Sequence, residues 1–145
     1  MQFLSTRDSA GVNLDQALVN GIAPDGGLYV PVELPQFTQG DFASAVDIPD
    51  VAQILLRPFF EGSTLVADLE HILAETFSFP IPTRTLPVNA GYAGLLELYH
   101  GPTAAFKDVG AGFLAACLSR LEGDERAPLT ILVATSGDTG GAAVS

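Results

Sequence analysis

Two stretches near the C-terminus of the 145-residue chain hold residues that could do chemistry. The first is Gly101-Pro102-Thr103-Ala104-Ala105-Phe106-Lys107-Asp108. Lys107 falls close to the start of a predicted helix, where the positive end of the helix dipole disfavours an ammonium. The apolar neighbours Ala104, Ala105 and Phe106 add desolvation, which also favours the neutral amine. A neutral amine attacks carbonyl carbon and forms a Schiff base. The plain alternative is a surface lysine at a helix start, although lysine is unfavourable in a first helical turn. The second stretch is Thr135-Ser136-Gly137-Asp138-Thr139-Gly140. Its small residues leave backbone N–H groups open at a helix N-terminus and its hydroxyls add donors, which suits a carboxylate or phosphate. Asp138 is at odds with an anion alone and sits better beside a hydroxyl, a protonated nitrogen or a cation. The plain alternative is a glycine-rich turn with a capping Asp or Thr.

The elements around these stretches set where they can lie. Residues 95–100 read as a short apolar strand and residues 111–121 as a helix. Residues 129–135 read as a second strand, apolar enough to be buried on both faces. A further helix opens at Ala142. Strand, helix and strand with short links predict a right-handed βαβ unit, with both loops leaving the ligand-binding edge of a parallel sheet. Upstream, residues 2–7 predict a strand, and Asn13 with Gln16 predicts a capping box opening a helix over Leu14–Asn20, stopped by Gly21. A brief strand is expected at 28–30, then an ordered coil through Gln36. Pro49 marks the first turn of a helix with Val51, Ile54, Leu55 and Phe59 on one face, kinked or ended at Pro58. Ser63 predicts the cap of one continuous helix to about Thr76, with Leu65, Leu69, Ile72 and Leu73 inward and His71 on its flank. Phe79-Pro80-Ile81-Pro82 stops that helix and fixes an extended link. The expected organisation is therefore a small helical domain over 1–82 and the start of an α/β domain over 83–145, with a strand at 84–88.

Composition narrows the function. The net charge is −11 with six Lys and Arg, and there is no basic stripe, so nucleic acid is not an expected partner. No apolar run approaches membrane-spanning length, and the first residues lack the basic-then-apolar pattern of a secretion signal. Cys117 is alone, falls at a core-like helical position and fits a reducing, cytoplasmic setting. No Cys/His cluster suggests a metal. Gly110-Ala111-Gly112-Phe113-Leu114-Ala115 matches G-x-G-x-x-A but starts inside the helix rather than in the preceding turn. Those small residues are read instead as a face for close helix–sheet packing. The loop 101–107 resembles a phosphate-binding P-loop only loosely, with Phe106 where the second Gly belongs. His100 ends the first strand near the loop edge, where either a structural role or ligand contact fits.

Taken together, Glu97-Leu98-Tyr99-His100-Gly101-Pro102-Thr103-Ala104-Ala105-Phe106-Lys107-Asp108 and Ala134-Thr135-Ser136-Gly137-Asp138-Thr139-Gly140 resemble the threonine synthase family. Gly26-Gly27-Leu28-Tyr29-Val30-Pro31 is similar to its opening, and the resemblance thins between 36 and 77. It implies a fold-type II enzyme dependent on pyridoxal 5′-phosphate, with a mainly parallel sheet. By that resemblance Lys107 is the lysine joined to the cofactor, and Asp138 faces the ring hydroxyl. Thr135, Ser136, Gly137, Thr139 and Gly140 hold the substrate carboxylate. The implied reaction turns O-phospho-L-homoserine and water into L-threonine and phosphate. Family members continue for several hundred residues, so the chain is expected to be an N-terminal fragment, inactive alone. Two other readings stand beside it. One is another β-replacing or eliminating enzyme of this fold, against which Asp138 counts. The other is a non-catalytic paralogue binding an anionic metabolite, against which Lys107 counts.

Overall fold

The computed structural model describes residues 1–8, 10–87, 89, 91–121 and 132–144. Strand β1 (Phe3–Ser5) is central in a small antiparallel sheet, between β2 (Gly11–Val12) and β3 (Tyr29–Pro31). Leu4 pairs with Gly11 on one side and with Val30 on the other. Helix α1 (Leu14–Asn20) begins where Asn13 accepts the Gln16 N–H and the Gln16 side chain takes the Asn13 N–H, the reciprocal cap expected from the sequence. Helix α2 (Ile48–Phe60) is capped by Asp47, which accepts from Asp50, and carries Pro49 in its first turn. Pro58 falls in its last turn, where it removes one i→i−4 hydrogen bond close to the end of the helix.

The segment after Ser63 differs from the single helix expected. It divides into a 3-10 turn (Thr64–Ala67) and helix α3 (Leu69–Thr76), with Asp68 between them at φ −98°, ψ 0°. The cause is tertiary. Asp15 of α1 accepts hydrogen bonds from the Ser63 hydroxyl, the Thr64 hydroxyl and the Thr64 N–H, and so holds the first turn off the helix axis. Burial raises the Asp15 pKa, but those hydrogen bonds outweigh it and keep the carboxyl below its usual value.

Hairpin β4 (Thr83–Leu86) and β5 (Ala93–Leu96) follows the proline link, antiparallel, with Arg84 opposite Leu95. The strand expected at 95–100 therefore lies two residues earlier and ends at Leu96, before His100. Helix α4 (Lys107–Leu121) starts four residues ahead of expectation, and α5 (Asp138–Val144) likewise begins at Asp138 rather than Ala142. An acidic residue stands in the first turn of each, where it favours the helix. Of the second expected strand, residues 129–131 lie outside the described residues, and Leu132 to Thr135 form no ladder. Among the described residues the strand pairings are antiparallel.

The core joins both halves of the chain. Phe60, Leu65, Leu69, Ile72 and Leu73 are fully buried and pack with Ala116 and Cys117 of α4. Burying each large side chain is worth about 1.5–3 kcal/mol, so this cluster, not the exposed hairpin, anchors α4. Phe60 meets Phe113 edge to face at 6.1 Å, and Arg120 grips Glu75 of α3. The inward residues of α3 match the sequence pattern. Helix α2 is rotated from it: Ala52 and Phe60 are buried and Leu56 and Phe59 join the core, while Leu55 is exposed.

Candidate functional site

Lys107 is the first residue of α4. It is also the only lysine in the sequence. The buried end of α4, around Ala116 and Cys117, fixes the axis that carries it. Burial pushes the Cys117 thiol up to about 11, so it is a neutral packing group there and no nucleophile near neutrality. The amine of Lys107 donates to the Thr139 hydroxyl of α5, bringing together residues 32 positions apart in sequence. The Lys107 Nζ also lies 5.9 Å from the centre of the Phe106 ring. Between α4 and the 132–143 segment runs a cleft of about 530 Å³, lined by apolar side chains such as Ala111, Leu114, Leu132 and Val133, with Lys107 and Thr139 as its polar groups. Gly110 also lines it. A Cβ at Gly110 or Gly112 would meet nothing within 4 Å, so among the described residues nothing packs closely on these two glycines, and Gly110 faces the cleft instead.

The second loop is organised by Thr135. Its hydroxyl oxygen accepts the N–H of Gly137 and of Gly140, each at 3.0 Å. Gly137 has φ 137°, a conformation side chains resist, and this lets the chain turn into α5. With both lone pairs of Thr135 engaged, its O–H is left as a donor. Thr135, Ser136, Gly137, Asp138 and Thr139 are exposed, and Gly140 is half-buried. The structure thus brings Lys107 to Thr139 and ties Thr135 to Gly137 and Gly140. Asp138 and Ser136 stand on the same loop, Asp138 as the first residue of α5.

The loop ahead of Lys107 contains residues that sequence reasoning left without a role. Asp108 is buried, and its carboxylate accepts the Thr103 N–H at 3.0 Å and the Thr103 hydroxyl. Gly101 makes room for it: a Cβ there would lie 2.4 Å from Asp108 Oδ2. Ala104 is held at φ 55°, which costs a non-glycine residue roughly 1 kcal/mol or more. The available signal was an acidic residue one step after the lysine, in the first turn of a helix. Just upstream, Glu97 is buried and accepts from His100 Nε2 at 2.7 Å and from Arg84 Nε at 3.2 Å. The His100 hydrogen bond, helped by Arg84, holds the Glu97 carboxyl below its usual range against the opposing effect of burial. His100 also stacks on Tyr99 at 4.6 Å, so it has a structural attachment. His71 is exposed on α3. Among the described residues no group of three or more His, Cys, Asp or Glu could hold a metal, and no helix is long and apolar enough to cross a membrane.

A lysine heading a helix, meeting a glycine- and threonine-rich loop beside an apolar cleft in an α/β protein, is an arrangement that suits a small ligand with a reactive carbonyl or an anionic group. Comparison narrows this class. Residues 2–77 match the family model described as threonine synthase N terminus, and the chain belongs to that family. It is 41% identical over 149 residues to threonine synthase of Pseudomonas aeruginosa, covering 99% of this chain and 32% of that protein. The crystal structure of threonine synthase from Escherichia coli superposes with a TM-score of 0.82 at 36% identity, over 99% of this chain and 33% of that one. The crystal structure of PLP-bound threonine synthase from Brucella melitensis does so with a TM-score of 0.87 at 38% identity, over 99% and 32%. The described architecture is therefore that of the N-terminal part of threonine synthase structures. The chain spans about a third of the length of the relatives it matches.

Proposed function

We propose that this chain forms the first third of a threonine synthase, which uses pyridoxal 5′-phosphate to convert O-phospho-L-homoserine and water into L-threonine and phosphate. The observation that carries this reading is the bond from Lys107, at the head of α4, to Thr139 in the second motif, beside an apolar cleft. The cleft fits the cofactor: apolar walls suit a flat ring, and the chain's only lysine stands at its polar side. When bound, the cofactor supplies an electron sink for carbanions next to the substrate nitrogen. Lys107 would hold the cofactor through Nζ, and its amine would carry protons between Cα and Cβ of the substrate. Asp138 would serve the ring hydroxyl. The free O–H of Thr135 donates to the substrate carboxylate, with Ser136 and Thr139 adding hydroxyls. Gly137 and Gly140 serve the same carboxylate by fixing Thr135 and by keeping the loop clear of side chains.

In this reading residues 1–82 are the N-terminal domain and 83–145 open the cofactor domain, with α4 rooted in the first and serving the second. The buried free thiol of Cys117 suits a reducing compartment, the cytoplasm. The test is phosphate release from O-phospho-L-homoserine by the full-length protein. Turnover should depend on added cofactor and fall at least about a hundredfold in Lys107→Ala, the low end for loss of a proton-transfer group. Wild-type turnover in Lys107→Ala would refute the proposal.

A further inference from the structure

We propose that Asp108 is a positioning residue for Lys107, acting through the loop that leads into α4. The inference rests on the functional reading above and adds a residue to it. Three observations converge on Asp108. Its carboxylate is buried, and both oxygens are taken by a single residue, Thr103: one by the N–H at 3.0 Å, the other by the hydroxyl. Asp108 is buried by these bonds and does not line the cleft, which separates it from the groups that would meet a ligand. Gly101 is shaped around it, since an added Cβ would lie 2.4 Å from Oδ2 and 2.8 Å from the Asp108 Cβ. The backbone between these contacts is tightly turned: Ala104 donates to the Gly101 carbonyl at 3.1 Å, Asp108 to the Ala105 carbonyl at 3.1 Å, and Ala104 sits at φ 55°.

A carboxylate in the first turn of a helix usually faces solvent and gains from the dipole. Asp108 instead folds back under the loop. The peptide entering Lys107 is thereby fixed from both sides, by helix α4 behind and by the Asp108–Thr103 clasp in front. Thr103 also lies near α5: a Cβ added at Gly141 would come to 3.6 Å from the Thr103 methyl, an ordinary van der Waals distance. A pre-aimed amine reacts faster with a bound aldehyde than one on a loose loop, because orientation is settled in advance.

The test uses the cofactor-free full-length protein. Pyridoxal phosphate is added, captured adduct is fixed with borohydride at timed intervals, and label is mapped by peptide. Thermal unfolding of the same samples reports folding separately. Asp108→Asn leaves an amide that can accept only one of the two Thr103 bonds, so labelling of Lys107 should slow at least about tenfold while the unfolding temperature moves little. Thr103→Val, which removes the hydroxyl bond alone, should slow it too, and Thr103→Ser, which keeps both bonds, should restore it. The double variant Asp108→Asn/Thr103→Val should be no slower than Asp108→Asn, since both act on one contact. If Asp108→Asn fails to fold, the Thr103 pair decides. Labelling of Lys107 at the wild-type rate in Asp108→Asn, or in Thr103→Val, would overturn the positioning role and leave the functional reading standing. Label absent from Lys107 in the unaltered protein would bring down both.

Discussion

Cys117 makes the anchoring of α4 measurable through pH. Its thiol is fully buried and is pushed up to about 11 from an ordinary 9.0. The folded state therefore holds the thiol proton where the unfolded chain has already lost it. Above pH 9 the unfolded state binds fewer protons, so stability falls as pH rises and stops falling only above pH 11. The rise from 9.0 to about 11 corresponds to about 3 kcal/mol in all, of which about half is lost by pH 10. Other groups ionise in alkaline solution too, so the comparison is with Cys117→Ala, in which they are unchanged. That variant gives up buried sulfur, a roughly pH-independent loss of about 1 kcal/mol. Urea unfolding of the chain in reductant, at steps from pH 8 to 10.5, should show wild type more stable at pH 8. The difference should close near pH 10 and then reverse. A difference that stays constant across this range would show that Cys117 is not sealed in the core and that α4 is not anchored there.

Further outcomes follow from other contacts. Ile72→Ala, which empties a fully buried site in the core shared by α3 and α4, should cost about 2–5 kcal/mol in urea unfolding. Gly101→Ala forces a methyl to within 2.4 Å of Asp108 Oδ2 and should cost about 1–3 kcal/mol by the same assay. Asp15→Ala strips the cap from the 64–67 turn and should cost about 0.5–2 kcal/mol at neutral pH. Because the Asp15 carboxyl is held below its ordinary 3.8, its contribution is complete above that pH and is lost as pH falls through the folded value. Wild type and Asp15→Ala should therefore converge in acid, and a gap that persists there would contradict the assignment.

Local signals made much of this fold legible. The Asn13/Gln16 cap, the Gly21 stop and Pro49 in a first turn are encoded within a few residues of where they act, and α1 and α2 begin where they predict. The inward residues of α3 follow from helical spacing alone. Tertiary contacts were not legible. Nothing local tells that Asp15 of α1 will take the first donors after Ser63 and split the expected helix at Asp68. Similarly, the rotation of α2 comes from packing Phe60 against Phe113 of α4, 53 positions on. The site divides the same way. Lysine near a helix start and a loop rich in glycine and threonine could be read directly, and their meeting through Lys107 and Thr139 agrees with that reading. Asp108 was hidden because its importance lies in being buried, and Gly101, which allows that burial, gives no signal of its own.

On the function proposed above, Lys107 is the residue to which the cofactor is joined. The most direct test of this is borohydride reduction of the full-length protein with pyridoxal phosphate bound, followed by peptide mapping. The chain described here holds one lysine, so the result within it is unambiguous. The pyridoxyl group is expected on Lys107, at about one per polypeptide. Its appearance on another lysine, with Lys107 unmodified, would contradict the account.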